Sequence, residues 1–161
     1  MFRVGFGVDS HAFDDDPKKP LILGGVKVEG HNGLRAHSDG DVILHALFNA
    51  VSTALGMRSI GYYFPDNKEE NKGKNSWEFL GFLKKEMLLQ GFGIENISIM
   101  ILAKTPKIEP IAEQVKQSIA GYFGVGVDRV GIAATSGEGQ DSAGRGESIM
   151  VFVSCSITQQ K

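Results

Sequence analysis

The sequence predicts a two-layer α+β sandwich, in which one mixed β-sheet carries its helices on one face. Strand and helix patterns follow one another in the order β-β-α-α-β-α-β-β, an order that favours this class. The stretches 97–103 and 149–157 alternate in the manner of strands, yet they carry apolar residues on both faces. The length of 161 residues predicts a single domain, residues 1–161.

The first half of the chain predicts two strands and a buried helix. Residues 2–13 alternate loosely as a strand, the polar stretch 14–20 forms a loop, and residues 21–28 return as a second strand. The stretch 41–55 is apolar around most of its circumference and indicates a buried helix. Residues 56–74 form a long polar loop, a kind that is usually functional or disordered.

The second half begins with a capping box, Asn75-Ser76-Trp77-Glu78, that starts a helix ended by Gly91 and Gly93. The remaining predicted elements are a strand over 97–103, a helix beginning at Glu109-Pro110, a strand over 130–135, a glycine-rich loop over 136–146 and a strand over 149–157.

The apolar second face of the predicted sheet needs cover. Met100, Leu102, Met150 and Phe152 lie on it, opposite the residues that face the helices. We therefore expect a homo-oligomer that buries this face. The alternative is a monomer with a partly apolar sheet surface.

Composition indicates a globular protein that works on small molecules. Hydrophobic residues make up 42% and charged residues 22%, and the net charge of −2 argues against a nucleic-acid or membrane-surface footprint. The single cysteine, Cys155, excludes a disulfide within the chain. The start of the chain lacks a signal-peptide pattern, and no apolar run reaches the roughly 18 residues of a membrane span. We expect a cytoplasmic protein.

Asp9, His11 and His45 are the candidate metal ligands. Asp9 and His11 are two apart in a predicted strand and therefore share a face, although such a pair is often only a surface hydrogen bond. The acidic stretch 37–41 leads into the helix that carries His45, which alone would be an ordinary core histidine. One carboxylate and two imidazoles with an open position suit catalytic Zn²⁺, and Mn²⁺ or Fe²⁺ could bind the same set.

Two loops offer further contacts to substrate. The stretch 64–67 is a turn signal with a free carboxylate, and 135–139 is a glycine- and hydroxyl-rich run after a strand. The second run could cradle a phosphate with backbone N–H groups, and its Glu138 could ligate Mg²⁺. Both could also be ordinary turns.

Together these segments resemble the 2-C-methyl-D-erythritol 2,4-cyclodiphosphate synthases of the non-mevalonate isoprenoid pathway. The resemblance extends from Phe2 to about Ile157. The segments that show it most clearly are G-F-G-V-D-S-H-A-F from residue 5 and A-H-S-D-G-D-V-I-L-H-A from residue 36. The other segments are I-G-Y-Y-F-P-D over 60–66, A-K-T-P-K over 103–107, A-T-S-G-E over 134–138 and G-R-G-E over 144–147.

The resemblance implies a phosphorus–oxygen lyase that cyclises 4-diphosphocytidyl-2-C-methyl-D-erythritol 2-phosphate and releases CMP. It implies a homotrimer with active sites between adjacent subunits. It further implies Zn²⁺ on Asp9, His11 and His45, and a second ion, Mg²⁺ or Mn²⁺, on Glu138 with the substrate diphosphate.

The resemblance also assigns roles to individual side chains. His37 and Ser136 fall where the family stabilises the transition state. Arg145 and Glu147 fall near the threefold axis, where the family has a cavity that can hold an isoprenoid diphosphate. The stretch 64–66 matches the loop that holds the methylerythritol moiety, and 103–109 matches the cytidine pocket of the neighbouring subunit. The implied substrate-binding residues are Asp9, His11, His37, Ser38, Ser59, Gly61, Phe64, Pro65, Asp66, Ala103, Pro106, Lys107, Ala134, Thr135, Ser136, Glu138, Ser142 and Arg145.

Several positions depart from the family pattern. Ser59 stands where an aspartate is usual, Ala133 where a lysine is usual, and Ser142 where an aromatic residue is usual. All proposed metal ligands are present. The sequence is also compatible with two other functions: a zinc hydrolase that uses a metal-bound water, and a trimeric binding module that keeps the metal only for structure.

Overall fold

A computed structural model describes residues 1–160, and a four-stranded mixed sheet lies at its centre. The strands are β1 (Phe2–Ala12), β2 (Pro20–Leu23), β3 (Val26–Asn32), β4 (Phe92–Leu102), β5 (Val130–Thr135) and β6 (Ser148–Gln159). The central sheet has the order β1-β6-β4-β5; β6 is antiparallel to both of its neighbours, and β4 and β5 are parallel. Strands β2 and β3 form a separate hairpin.

The main helices cover one face of this sheet. The five α-helices are α1 (Val42–Ala54), α2 (Ile60–Tyr63), α3 (Ser76–Leu89), α4 (Glu109–Phe123) and α5 (Ser142–Arg145). Helix α1 packs on β1 and β6, α3 contacts β4, and α4 contacts β5. The predicted α+β architecture with a mixed sheet is therefore confirmed. Within residues 1–160, none of the helices is long and apolar enough to cross a lipid bilayer.

Two predicted strands have different bounds in the structure. Residues 21–28 are not one strand but the two arms of the β2–β3 hairpin, because Gly24 and Gly25 take positive φ angles of 59° and 78° and turn the chain. The strand predicted over 97–103 begins earlier, at Phe92, directly after the turn at Gly91.

Both long loops contain short helical turns. Loop 56–74 holds α2 and a 3₁₀ turn over Glu69–Asn71, and loop 136–146 holds α5 and a 3₁₀ turn over Gly137–Gly139. Such turns are only three or four residues long, too short to produce a hydrophobic period that sequence patterns can show.

Helix α1 lies very close to β1 because β1 presents glycines to it. A Cβ atom added at Gly5 would overlap the backbone of Ala50, and one at Gly7 would overlap the backbone of Ala46. The strand alternation then places Asp9 and the residue two further on at the same face, beside the start of α1. Glycine is therefore needed where helix and strand touch, and functional side chains begin where the glycines end.

The opposite face of the sheet is apolar and uncovered in the single chain. Val4 and Phe6 are 60% and 57% exposed, and Met100 is 42% exposed. A shallow cavity of about 380 Å³ runs over this face, between Phe6, Met100 and Phe152. We refer to this surface as the outer face.

The buried carboxylate of Asp41 joins α1 to the β2–β3 hairpin. It caps α1 by accepting the N–H of Leu44, and it accepts the N–H groups of Gly24 and Gly25 in the hairpin turn. Burial raises the pKa of Asp41 to about 6, despite these three hydrogen bonds.

We expect Gly7→Ala to lower the free energy of unfolding by about 1–3 kcal/mol, because the added methyl group must push α1 away from β1. Urea denaturation of both proteins measures the difference. Gly131→Ala is the matched control, since a Cβ there would meet its nearest neighbour at 3.9 Å, and it should change stability by less than about 1 kcal/mol. Equal effects of the two substitutions would contradict the close packing of α1 on β1.

We expect the stability of the protein relative to its Asp41→Asn variant to fall as the pH rises from about 4 to about 6. In this window the unfolded chain, with an ordinary pKa of 3.8, has lost the Asp41 proton, whereas the folded chain retains it. The pKa difference corresponds to a fall of about 3 kcal/mol in the free energy of unfolding of the protein minus that of the variant. Above this window the difference should be constant. Urea denaturation of both proteins at a series of pH values measures this difference. A difference that rises with pH would contradict the raised pKa of Asp41.

Candidate active site

Three side chains converge where the end of β1 meets the start of α1. Asp9 Oδ2 lies 2.8 Å from His11 Nε2 and 3.1 Å from His45 Nδ1, and the two imidazole nitrogens are 3.2 Å apart. One ligand atom of each residue lies within 4.8 Å of the other two. We call these three residues the triad. Their spacing allows all three to contact one ion.

Local structure accounts for this convergence. Asp9 and His11 lie two apart on β1 and point to the same face, towards α1. His45 lies one turn after the Asp41 cap, so the position of the cap determines where along β1 the His45 ring contacts the strand. His45 is only 7% exposed, and its Nε2 lies 3.0 Å from Ser76 Oγ and 3.2 Å from Ser38 Oγ.

The charges of the triad are coupled. Burial alone would raise the pKa of Asp9, but hydrogen bonds with His11 and His45 outweigh it and lower the pKa to about 2. Burial alone would lower the pKa of His11, but its contact with Asp9 outweighs burial and raises it. A metal site requires an ionised carboxylate and imidazoles whose protons a cation can displace, and the triad provides both.

The donor set fits a catalytic transition-metal ion. One carboxylate oxygen and two imidazole nitrogens leave a position open towards the cavity, which matches the three-ligand pattern of catalytic zinc. These ligand types also suit other divalent ions, so the geometry identifies the site and not the metal.

A cavity of about 150 Å³ opens above the triad. His37, Ser38, Gly61, Phe64 and Asp66, all predicted from the sequence as substrate contacts, line it together with the triad. Within residues 1–160, His37 Nε2 is the one buried side-chain nitrogen or oxygen without a hydrogen-bond partner. A ligand in this cavity can satisfy it.

Four residues that line this cavity were not predicted: Ala36, Ile60, Asn71 and Phe79. Phe79 packs against Phe64 with ring centroids 4.7 Å apart, and Lys74 Nζ lies 5.8 Å from the Phe64 ring centre. The Asn71 side chain is buried and donates to the carbonyl of Pro65. The length of loop 56–74 was the only signal for Asn71, because nothing in its local sequence marks it as buried.

A second cavity, of about 190 Å³, lies at the other edge of the sheet. It contains six further predicted substrate contacts; its lining residues are Ala103, Pro106, Lys107, Ile108, Glu109, Ala134, Thr135 and Ser136. Because β1, β4 and β5 run in the same direction, this cavity and the triad lie at the same end of the sheet. Three strand spacings separate β1 from β5, a distance of roughly 14 Å.

The remaining predicted residues lie outside both cavities. Ser59 precedes α2 and is exposed, and Pro65 lies between Phe64 and Asp66 without lining the cavity. Glu138 follows β5 and is not part of the triad cluster of this chain. Its φ of 48° is unusual for a residue other than glycine.

The last two predicted residues, Ser142 and Arg145 in loop 136–146, form hydrogen bonds with residues close to them in the sequence. Ser142 Oγ lies 2.8 Å from Ser148 Oγ, and the Arg145 guanidinium binds both carboxylate oxygens of Glu147. The pairing raises the pKa of Arg145 and lowers the pKa of Glu147.

The chain is similar to known proteins along nearly its whole length. The model of the YgbB family matches residues 2–158. The 2-C-methyl-D-erythritol 2,4-cyclodiphosphate synthase of Marinobacter nauticus is 40% identical, over 95% of each chain. The bifunctional IspDF of Campylobacter jejuni superposes with a TM-score of 0.92 at 33% identity, covering 99% of this chain and 42% of that longer one.

A structure of IspF from Plasmodium falciparum in a CDP complex superposes with a TM-score of 0.86 at 27% identity, over 99% of this chain and 97% of that one. Family model, relatives and structures agree along nearly the whole chain, and they confirm the resemblance found in the sequence. The chain belongs to the YgbB family, and its relatives include 2-C-methyl-D-erythritol 2,4-cyclodiphosphate synthases.

Proposed function

We propose that this protein cyclises 4-diphosphocytidyl-2-C-methyl-D-erythritol 2-phosphate to 2-C-methyl-D-erythritol 2,4-cyclodiphosphate and releases CMP, a phosphorus–oxygen lyase reaction of non-mevalonate isoprenoid biosynthesis. The triad below an open cavity, in a chain 40% identical to a named synthase, is the observation that carries the proposal.

The reaction is a phosphoryl transfer within one substrate. An oxygen of the 2-phosphate forms a bond to the β-phosphorus, the bond from that phosphorus to the bridging oxygen breaks, and CMP leaves with this oxygen. Attacking and accepting groups belong to one molecule, so holding it in a folded conformation supplies most of the entropic advantage. The protein therefore needs no nucleophile of its own and contributes positioning and charge stabilisation.

The triad would hold a divalent transition ion, which supplies Lewis-acid polarisation of a phosphoryl oxygen when bound; zinc suits the ligands best. Glu138 would hold Mg²⁺ or Mn²⁺ together with the diphosphate. His37, with its unpartnered buried Nε2, and Ser136 would donate hydrogen bonds to charge that develops in the transition state.

The two cavities would bind different parts of the substrate. Phe64, Pro65 and Asp66 would hold the methylerythritol moiety next to the triad. The cavity with Pro106, Lys107 and the end of β5 would hold cytidine, with Ser59 and Gly61 as further contacts from loop 56–74. The relative from Plasmodium falciparum in a CDP complex supports a cytidine nucleotide as the ligand.

We further propose that the protein is a homotrimer with active sites between subunits. The two cavities lie at opposite edges of one sheet, so a single substrate can bridge them more readily across a subunit boundary than within a chain. The apolar outer face supports the same assembly, because exposed surfaces of this kind are usually buried between subunits.

An isoprenoid diphosphate in the axial cavity of the trimer belongs to this proposal. The apolar outer face supports binding of the hydrocarbon part. Arg145 would bind the diphosphate, for which it must exchange its ion pair with Glu147.

We expect His45→Ala to reduce CMP release by about 1000-fold, because removing a ligand costs the several kcal/mol of charge stabilisation that the ion supplies. Phosphorus NMR of the reaction with the cytidine substrate identifies the products. Treatment with a chelator should abolish release in the unmodified protein, and added Zn²⁺ should restore it there but not in the variant. Inorganic phosphate or a linear product, in place of the cyclic diphosphate, would instead identify a hydrolase.

We expect Phe6→Glu to dissociate the trimer, because it places a charge within the apolar outer face. Light scattering after size-exclusion chromatography gives the mass, and CMP release should be lost together with the trimer. Leu89→Glu is the matched control: Leu89 is 71% exposed at the end of α3, away from the outer face, and both mass and activity should be unchanged. A trimeric Phe6→Glu protein would refute the assigned interface.

A further inference from the structure

The second ring nitrogen of His45 contacts a hydrogen-bonded chain that begins in loop 37–41. His45 Nε2 lies 3.0 Å from Ser76 Oγ, and Ser76 is 1% exposed at the first position of α3. Ser38 Oγ is a second neighbour of the same nitrogen, at 3.2 Å. The direction of these hydrogen bonds decides which ring nitrogen of His45 carries a proton.

Asp39 determines that direction. Its carboxylate accepts three hydrogen bonds: from the Ser76 hydroxyl, from the Ser76 backbone N–H at 2.9 Å, and from the Asp41 N–H at 3.1 Å. In all three of these hydrogen bonds Asp39 is the acceptor, and the Ser76 hydroxyl is one of the donors. The single hydroxyl hydrogen of Ser76 therefore points to Asp39, and the Ser76 oxygen can only accept from His45.

His45 must then carry its proton on Nε2. Nδ1 is the nitrogen that faces Asp9 and His11, and a metal ion held there would take the place of the proton that Nδ1 shares with the Asp9 carboxylate. Ser38 cannot impose this choice, because its oxygen accepts only one distant N–H, that of Gly40 at 3.4 Å, and its own hydrogen is free to point either way.

We propose that Asp39 and Ser76 form a positioning relay, which orients the His45 ring and holds its Nε2–H tautomer so that Nδ1 can bind the metal ion. This inference rests on the metal site of the proposed function. Groups that accept from the outer nitrogen of a metal-bound histidine raise its basicity and fix its orientation.

The relay also connects the metal ligand to the loop above the cavity. Asp39 N–H donates to the carbonyl of Lys74, and Gly73 N–H donates to the carbonyl of His37. The end of loop 56–74, which carries Phe64 and Asp66 over the triad, is thus attached to the same segment that orients His45.

The relay can be tested on protein without substrate. We expect Ser76→Ala to weaken Co²⁺ binding by about 10–100-fold in competition with a chromogenic chelator, and to alter the visible absorption bands of bound Co²⁺, because the ring of His45 loses its fixed orientation. Asp39→Asn should act in the same direction, since it frees the Ser76 hydrogen to point at Nε2 and favours the wrong tautomer.

Three comparisons make the test specific. Ser52→Ala removes another fully buried serine hydroxyl, bonded to the carbonyl of Arg58, and should leave Co²⁺ affinity and spectrum unchanged. Ser38→Ala should weaken binding much less than Ser76→Ala. The double variant of Asp39 and Ser76 should lose no more affinity than Ser76→Ala alone, because both substitutions interrupt one chain.

Additive losses in the double variant, or unchanged Co²⁺ binding and spectrum in Ser76→Ala, would overturn the relay. Thermal unfolding of the metal-free proteins verifies that each variant is folded before metal is added. Metal binding is measured without turnover, so a protein that shows the relay but releases no CMP refutes the proposed reaction and leaves this inference standing. If the unmodified protein and His45→Ala bind Co²⁺ alike, both the metal site and the relay are refuted.

Discussion

The close contact between α1 and β1 is the constraint on which the site depends. Gly5 and Gly7 have no side chains to hold the helix away, so the helix backbone rests directly on the strand. At that distance the imidazole of His45 reaches Asp9 and His11, the next residues on the same face of the strand. The glycines contribute no ligand atom, yet the separation that they permit decides whether three donors can share one ion.

Long regular elements of the fold could be predicted from the sequence, and short ones could not. The apolar period of α1 and the capping box of α3 placed both helices correctly. The β2–β3 hairpin was missed because its arms are too short to separate from one continuous strand unless the Gly24-Gly25 turn is recognised. Strand order is not visible in any local pattern, because it depends on pairings between distant segments such as β1 and β6.

The site could be predicted only where residue type and spacing together point to chemistry. Asp9 and His11 could be found because their strand spacing places a carboxylate and an imidazole on one face, and His45 because an acidic stretch leads into its helix. The role of Ser76 could not be predicted, because its partners Asp39 and His45 lie 37 and 31 residues away in the sequence. A serine directly after a helix cap is normally interpreted as part of the helix start. The second cavity, at the end of β5, could be identified as a substrate site only by resemblance, because its lining residues are mostly small or apolar.

The position of β1 at the sheet edge has a consequence for the order of folding. Its one strand neighbour is β6, and Asp9 pairs with Val151, roughly 140 residues along the chain, so joining them closes a long loop at a large entropic cost. Contacts between near neighbours in the chain, such as the β2–β3 hairpin, carry little of this cost. We therefore expect the pairing of β1 with β6 to form later in folding than the contacts between near neighbours.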